Sequence, residues 1–364
     1  MTPLAGLIAE SLRAEGPMSV HDYMALCIGH ERYGYYATRD PLGPRGDFIT
    51  ATEVSQMFGE LIGMWCADTW RRMGAPAPVR LVELGPGRGT LMADALRAAH
   101  KVAPEFRRAL GVHLVETSPV LRAAQRARLA AAAPSWHAAL AEVPVGPTLL
   151  VANEFFDALP IRQVERTCDG WRERMIVLAA DGCGFRVTVG VPSVHGAALP
   201  TGAAADAPLG AVAEDCPAGS ACAGEIGRRV AAEGGAALII DYGYRASASG
   251  DTLQAVRHHR TTDPFANPGA CDLTAHVDFA ALARAAREAG ARVHGPVDQG
   301  AFLMALGIDA RAATLKTDAA PVVARAVDAA LARLIGHEHM GTLFQVMALT
   351  HPGMAAPEGF GDGA

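Results

Sequence analysis

The sequence has no stretch of about 18 uninterrupted apolar residues, so it offers no segment able to span a bilayer as a helix. Its seven cysteines, at 27, 66, 168, 183, 216, 222 and 271, include no C-x-x-C pair. An odd and scattered set cannot close into a full disulfide framework, and free thiols are expected. No H-E-x-x-H occurs, and the adjacent His258 and His259 lack the helical spacing that would aim both at one metal, so no metal site is expected. There is no block of Lys or Arg, and the formal charge is −6. Nucleic-acid binding depends on neutralising phosphates and is not expected; the charge favours a cationic or neutral substrate. The N-terminus also lacks a signal peptide's apolar stretch, because Glu10, Arg13 and Glu15 interrupt it. It reads as an amphipathic helix of the mature protein, with a cytoplasmic location expected.

What is present falls into zones. Residues 1–76 are expected as an N-terminal helical or lid segment, interrupted by an aromatic, Gly-rich loop containing Arg45-Gly46-Asp47-Phe48-Ile49-Thr50. Thr50 and Glu53 suggest a capping box that opens a helix over roughly 53–73, with Met57, Phe58, Leu61, Ile62 and Trp65 on its apolar face. From residue 77 the pattern alternates strand and helix: VRLVEL (79–84), VHLVET (112–117), a short strand near Trp136, TLLVANEF (148–155) and AALIIDYG (236–243). Ser118 with Pro119 marks a helix start. Strands this apolar, separated by helices, predict an α/β fold with a parallel sheet covered on both faces. An insertion at about 160–235 precedes the fifth strand. It begins as a meander with turns at Asp169-Gly170 and Asp181-Gly182 and includes an Ala/Pro/Gly-rich loop within 191–219. LFQVMAL is expected as an edge strand ending this domain near residue 350, and 351–364 as a disordered tail.

The sharpest feature is Glu83-Leu84-Gly85-Pro86-Gly87-Arg88-Gly89-Thr90, between the first strand and its helix. Gly85, Gly87 and Gly89 let the backbone turn tightly and approach a ligand. The dinucleotide fingerprint is G-x-G-x-x-G; here the spacing is G-x-G-x-G after an acidic strand end. That form suits a ligand without phosphates, such as S-adenosyl-L-methionine, whose ammonium can be met by carbonyls and by Glu83. Glu116 ends the second strand, where a carboxylate can accept both hydroxyls of a ribose. Glu83, Gly85, Pro86, Gly87, Gly89, Glu116 and Asn153 are thus the candidate cofactor residues.

Asn153-Glu154-Phe155-Phe156-Asp157 follows a central strand. Carboxylates among apolar neighbours could bind a guanidinium acceptor through fork contacts, or they could cap a helix or pair with Arg162. Asp47 lies in the N-terminal loop just after Tyr33, Tyr35 and Tyr36, which could wall a cation. Asn153, Glu154, Asp157 and Asp47 are the acceptor-side candidates. Asp241, Asp251, His259 and Asp272 are further residues that could line that site.

GYY, GDFIT, SQMFGELIG, VELGPGRGTLMADALR, HLVETSPVLRAAQ, VANEFFDALPIRQ, IIDYG, DTLQAVRHH and PGACDLTAHVDF together resemble the MidA-like methyltransferases, over residues 19–308. The resemblance implies a Rossmann-like class I methyltransferase sheet, S-adenosyl-L-methionine as donor and a protein arginine as acceptor. That family includes a mitochondrial complex I assembly factor that methylates an arginine of a core subunit, so a subunit of the respiratory NADH:quinone oxidoreductase is the implied partner. Two other readings stay open. One is a methyltransferase for a small molecule or RNA; the other is an assembly chaperone that holds S-adenosylmethionine as a structural ligand.

Overall fold

The apolar runs at 79–84, 148–153 and 235–244 form strands because their Val, Leu and Ile side chains are buried on both faces of one sheet, while 110–115 buries Val112 and Leu114 on one face. In this computed structural model, which describes residues 2–38, 43, 46, 47, 50–180, 182, 184–192, 204 and 206–361, the chain divides into two compact units. The sheet unit comprises Ile49–Phe156, Cys222–Gly243 and Leu282–Ala364. The other comprises Met1–Phe48, Asp157–Ala221 and Tyr244–Ala281.

The division does not fall at residue 76. Helix α1 (Gln56–Arg72) belongs with the sheet unit, because its stripe of Met57, Phe58, Ile62 and Trp65 is buried in that unit's core. Gly59 and Gly63 let it approach helix α2 (Thr90–Val102) closely; a Cβ on Gly63 would lie 2.5 Å from the Ala95 Cα. The expected capping box does not form. Thr50 makes no side-chain cap, and a separate turn of helix at Ala51–Val54 precedes α1, whose cap is Ser55, accepting from the Met57 N–H.

Seven strands among the described residues of this unit are β1 (Val79–Leu84), β2 (Leu110–Val115), β3 (Ser135–His137), β4 (Thr148–Asn153), β5 (Gly235–Tyr244), β6 (Arg292–Asp298) and β7 (Phe344–Thr350). Their order is β6-β7-β5-β4-β1-β2-β3. Strands β3, β2, β1, β4 and β5 run parallel, and β7 is antiparallel to both its neighbours. The run expected at the edge, LFQVMAL, is therefore interior, and every residue of β7 is buried. The edge falls to β6, whose Arg292, Pro296 and Asp298 suit a strand with one side unpaired.

Helix α3 (Pro119–Arg128) starts as predicted, with Ser118 Oγ accepting from the Leu121 N–H. The tail departs from expectation. Phe360 is buried against Phe302 with ring centroids 5.5 Å apart, and the Trp65 indole N–H donates to the Glu358 carbonyl at 3.0 Å. A buried indole N–H needs an acceptor, and residues 351–361 supply one while covering the core. Residues 362–364 lie outside the described residues.

The other unit packs helices Pro3–Glu15 and Val20–Gly29 around a core of Leu4, Ile8, Tyr23, Met24 and Ile176. Its larger sheet runs Met18–Ser19, Gly170–Leu178, Arg162–Thr167, Val212–Asp215, with Phe185–Pro192 on Gly170–Leu178. The meander is a true hairpin, turning between the paired Thr167 and Gly170. Of the loop expected within 191–219, residues 193–203 and 205 lie outside the described residues, as does Asp181 of the second expected turn; Val212–Asp215 is a strand, and a helix starts at Pro217. A smaller sheet joins Arg260–Thr262, Gln254–Arg257 and Asp272–Thr274. Among the described residues no helix is long and apolar enough to cross a membrane.

Candidate active site

Register brings the carboxyl ends of four strands level. Leu84 sits opposite both Val115 and Ala152, and Ile240 opposite Asn153. The segments that follow β1, β2, β4 and β5 thus leave the sheet at one edge, where open α/β sheets bind ligands.

The turn after β1 is built on Gly85, Gly87 and Gly89, with φ of 59°, 52° and 76°. This left-handed backbone costs an L residue about 1–2 kcal/mol. A Cβ on Gly85 would also lie 2.9 Å from the Phe155 ring. Gly89 donates to the Pro86 carbonyl at 2.7 Å and opens α2 with no side-chain cap, which leaves first-turn N–H groups for the turn or a ligand.

Two carboxylates flank this turn in burial. Glu83 is 3 % exposed, and its carboxyl is pushed up to about 8 by burial and then by the charge of Glu116. Burial also raises Glu116, opposed by its hydrogen bonds: the Ser118 N–H donates to Oε1 at 2.7 Å and Gln125 Nε2 to Oε2 at 3.3 Å. A carboxylate oxygen accepts more than one bond, so Glu116 keeps capacity for ligand hydroxyls.

Gln125 is the residue that sequence reasoning missed. It is fully buried, donates to the Gly87 carbonyl at 2.7 Å and accepts from the Trp136 indole at 2.8 Å. The available signal was a polar residue at helical spacing between Leu121 and Leu129, on the face that packs inward.

After β4, Glu154 takes φ of 50°, unusual for a non-glycine residue. Its Oε1 accepts from the Ala51 N–H at 2.9 Å and from Asn153 Nδ2 at 3.1 Å. Asp241, expected to line the acceptor site, is fully buried and holds this turn instead: it accepts from the Phe155, Phe156 and Tyr242 N–H groups. Glu53, expected in a capping box, accepts from the Thr90 hydroxyl at 2.6 Å and lies 3.8 Å from Arg88. The single helical turn at 51–54 therefore touches both the glycine turn's helix and Glu154.

The residues fit S-adenosylmethionine on two observations. Oε2 of Glu83 and Oδ1 of Asn153 are buried acceptors with no hydrogen-bond partner, and such atoms call for a ligand that brings donors. The turn beside them holds Gly85 and Gly89 in left-handed backbone, where a Cβ would meet Phe155 at 2.9 Å or Leu129 at 3.1 Å.

Asp47 and Asp157 belong to the other unit. Asp47 is buried and accepts from the Tyr35 hydroxyl at 2.8 Å and the His258 N–H at 2.8 Å. Tyr35 is thereby buried rather than an open aromatic wall. Tyr36 donates to Asp272 at 3.0 Å; burial, then the charges of Asp272 and Asp157, hold its phenol well above its ordinary value. The Asp157 carbonyl accepts from the Ala275 N–H. Asp251 pairs with Arg174 at 2.7 Å, and Arg162 with Asp215 at 3.0 Å.

The family profile for S-adenosyl-L-methionine-dependent methyltransferases matches residues 61–297. The chain is 36% identical to the mitochondrial protein arginine methyltransferase NDUFAF7 homolog of Drosophila melanogaster, over 96% of this chain and 86% of that protein. It is 35% identical to the mitochondrial protein arginine methyltransferase NDUFAF7 of Homo sapiens, over 96% and 83%. A Burkholderia thailandensis protein crystallised with S-adenosyl-homocysteine superposes with a TM-score of 0.82 at 29% identity, covering 98% of this chain and 93% of that one. The relatives' mitochondrial names overturn the cytoplasmic location expected from the N-terminus. The physical reason is plain: Leu4, Ile8 and Leu12 of that amphipathic helix are buried in a core, and a core helix carries no information about compartment.

Proposed function

The chain belongs to the S-adenosyl-L-methionine-dependent methyltransferase family, and from that premise we propose that it is a protein arginine N-methyltransferase. The observation that carries this reading is Glu154: a carboxylate held in left-handed backbone at the sheet's carboxyl edge, level with the glycine turn. S-adenosylmethionine, when bound, supplies a methyl group on a sulfonium, open to in-line displacement. Gly85, Pro86, Gly87 and Gly89 admit its methionine end, Glu83 meets its ammonium, and Glu116 accepts from its ribose hydroxyls. Asn153 Oδ1 supplies one further acceptor.

Glu154 binds the acceptor guanidinium through charge-assisted N–H···O contacts, which orient one nitrogen and draw positive charge to the far ones. The Ala51 N–H and the Asn153 amide position that carboxylate. The acceptor is a subunit of the respiratory NADH:quinone oxidoreductase, and its methylation serves assembly of that complex.

The test is methyl transfer from isotopically labelled S-adenosylmethionine to lysate from a strain lacking this protein and to the purified catalytic-core subunit of that dehydrogenase. Mass spectrometry locates the label. Label on an arginine, lost in the Glu154→Gln variant, is the expected result. Binding of S-adenosylmethionine without label on any protein would refute the reading and favour a chaperone or a small-molecule acceptor.

A further inference from the structure

The hairpin of Gln254–Arg257 and Arg260–Thr262 combines three features that cost stability. Arg257 and Arg260 are directly opposite in register, where like charges repel. The residues that turn the hairpin, His258 and His259, have φ of 51° and 60°, a conformation that falls most often to Asn, Asp or Gly. Among the described residues neither guanidinium has an ion-pair partner, and the buried Nε of Arg257 has no hydrogen-bond partner. The turn is held from outside: Asp47 Oδ1 accepts from the His258 N–H at 2.8 Å, and the Asp47 carbonyl accepts from the His259 N–H at 2.9 Å. His258 Nδ1 also lies 3.6 Å from Asp47 Oδ1. Strain that persists because neighbours enforce it concentrates where something binds.

The same hairpin lines an open cavity of ≈ 590 Å³ with Arg257, His258, Arg260, Thr261 and Thr262. We propose that this cavity is an anion-binding subsite that takes a Glu or Asp side chain of the protein acceptor. A carboxylate there relieves the repulsion between Arg257 and Arg260, accepts fork contacts from them, and finds neutral hydroxyl donors in Thr261 and Thr262. The chain's −6 charge disfavours a polyanion such as RNA, whereas one carboxylate matches this cluster. The ligand assigned here is a side chain of the protein acceptor, so the inference rests on the protein-acceptor reading above.

The experiment uses the full chain and fluorescent peptides with a central arginine and one glutamate walked through the flanking positions, each paired with its glutamine counterpart. Fluorescence anisotropy is expected to show one glutamate peptide binding about tenfold tighter than its glutamine twin, an advantage that fades as salt rises. The Arg257→Gln, Arg260→Gln double variant should lose that advantage, keep S-adenosylmethionine affinity, and melt at a higher temperature, since the repulsion is gone. A glutamate preference unchanged in the variant, or none in the original protein, overturns the proposal. So does competition by an oligoribonucleotide stronger than by the peptide. Methyl transfer to the same peptides separates the two readings. Glutamate-selective binding with no transfer leaves the subsite and removes the arginine methyltransferase; transfer with no glutamate selectivity does the reverse.

Discussion

The Gln125 side-chain amide donates to the Gly87 carbonyl at 2.7 Å while the same nitrogen reaches Glu116 Oε2 at 3.3 Å. One buried amide thereby ties the middle of the glycine turn to the carboxylate at the end of the neighbouring strand. Gln125→Leu keeps the volume roughly but removes both bonds and leaves the Trp136 indole without its acceptor. Losses of this kind cost roughly 1–3 kcal/mol each. Calorimetric titration should show S-adenosylmethionine affinity falling at least tenfold, and differential scanning calorimetry a lower melting temperature. Unchanged affinity would mean that the turn holds its shape without Gln125.

Gly87→Val should abolish cofactor binding. At φ of 52° a β-branched side chain is strained and occupies the approach to the turn. Gly85→Ala should also weaken binding and slow methyl transfer, because its Cβ must displace Phe155, which neighbours Glu154. Equilibrium dialysis checks both, and normal retention by the Gly87 variant removes the turn from the cofactor site.

Glu83 predicts a proton linkage. Its carboxyl stands at about 8 in the folded protein, against an ordinary value of 4.5. A carboxyl held above its unfolded value binds its proton more tightly when folded. Its contribution is therefore fully present below about pH 4.5 and is lost as pH rises through about 8. Denaturant unfolding should show Glu83→Gln flattening the stability profile across that window. At pH 7 the cofactor's ammonium should expel the proton, so titrations in buffers of different ionisation enthalpy should report proton release, absent in Glu83→Gln.

Glu154→Gln should separate binding from turnover. If the carboxylate acts on the acceptor, kcat falls by about 10²–10³, the scale for removing one preorganised hydrogen-bonding group, while cofactor affinity changes little. A comparable loss in S-adenosylmethionine affinity would move Glu154 to the cofactor side.

Much of this architecture was legible in the chain itself. The strands at 79–84 and 148–153 are apolar on both faces, a pattern that only a covered parallel sheet satisfies, and Ser118-Pro119 starts its helix by local chemistry alone. The glycine spacing and Glu116 pointed to the cofactor because positive φ and a strand-end carboxylate are local properties. Three things were not local. The apolar run at 344–350 lies between two strands rather than at the edge, since nothing in an apolar strand records how many partners it has. Glu53 looked like half of a capping box, but its carboxylate meets Thr90, 37 residues on, which no local pattern reveals. Asp241 looked like an acceptor-site residue and is consumed by three backbone N–H groups of the turns at 155, 156 and 242.

The sequence by itself thus determined the alternation of elements, the backbone freedom at Gly85, Gly87 and Gly89, and which side chains had to be buried. Tertiary structure decided which buried polar atoms are satisfied. Asp241 and Gln125 have their hydrogen bonds within the fold, while Glu83 Oε2 and Asn153 Oδ1 do not. A polar group's partners are set by whichever segments the sheet register brings beside it, and an acceptor left over after that pairing is what distinguishes a residue built to bind from one built to fold.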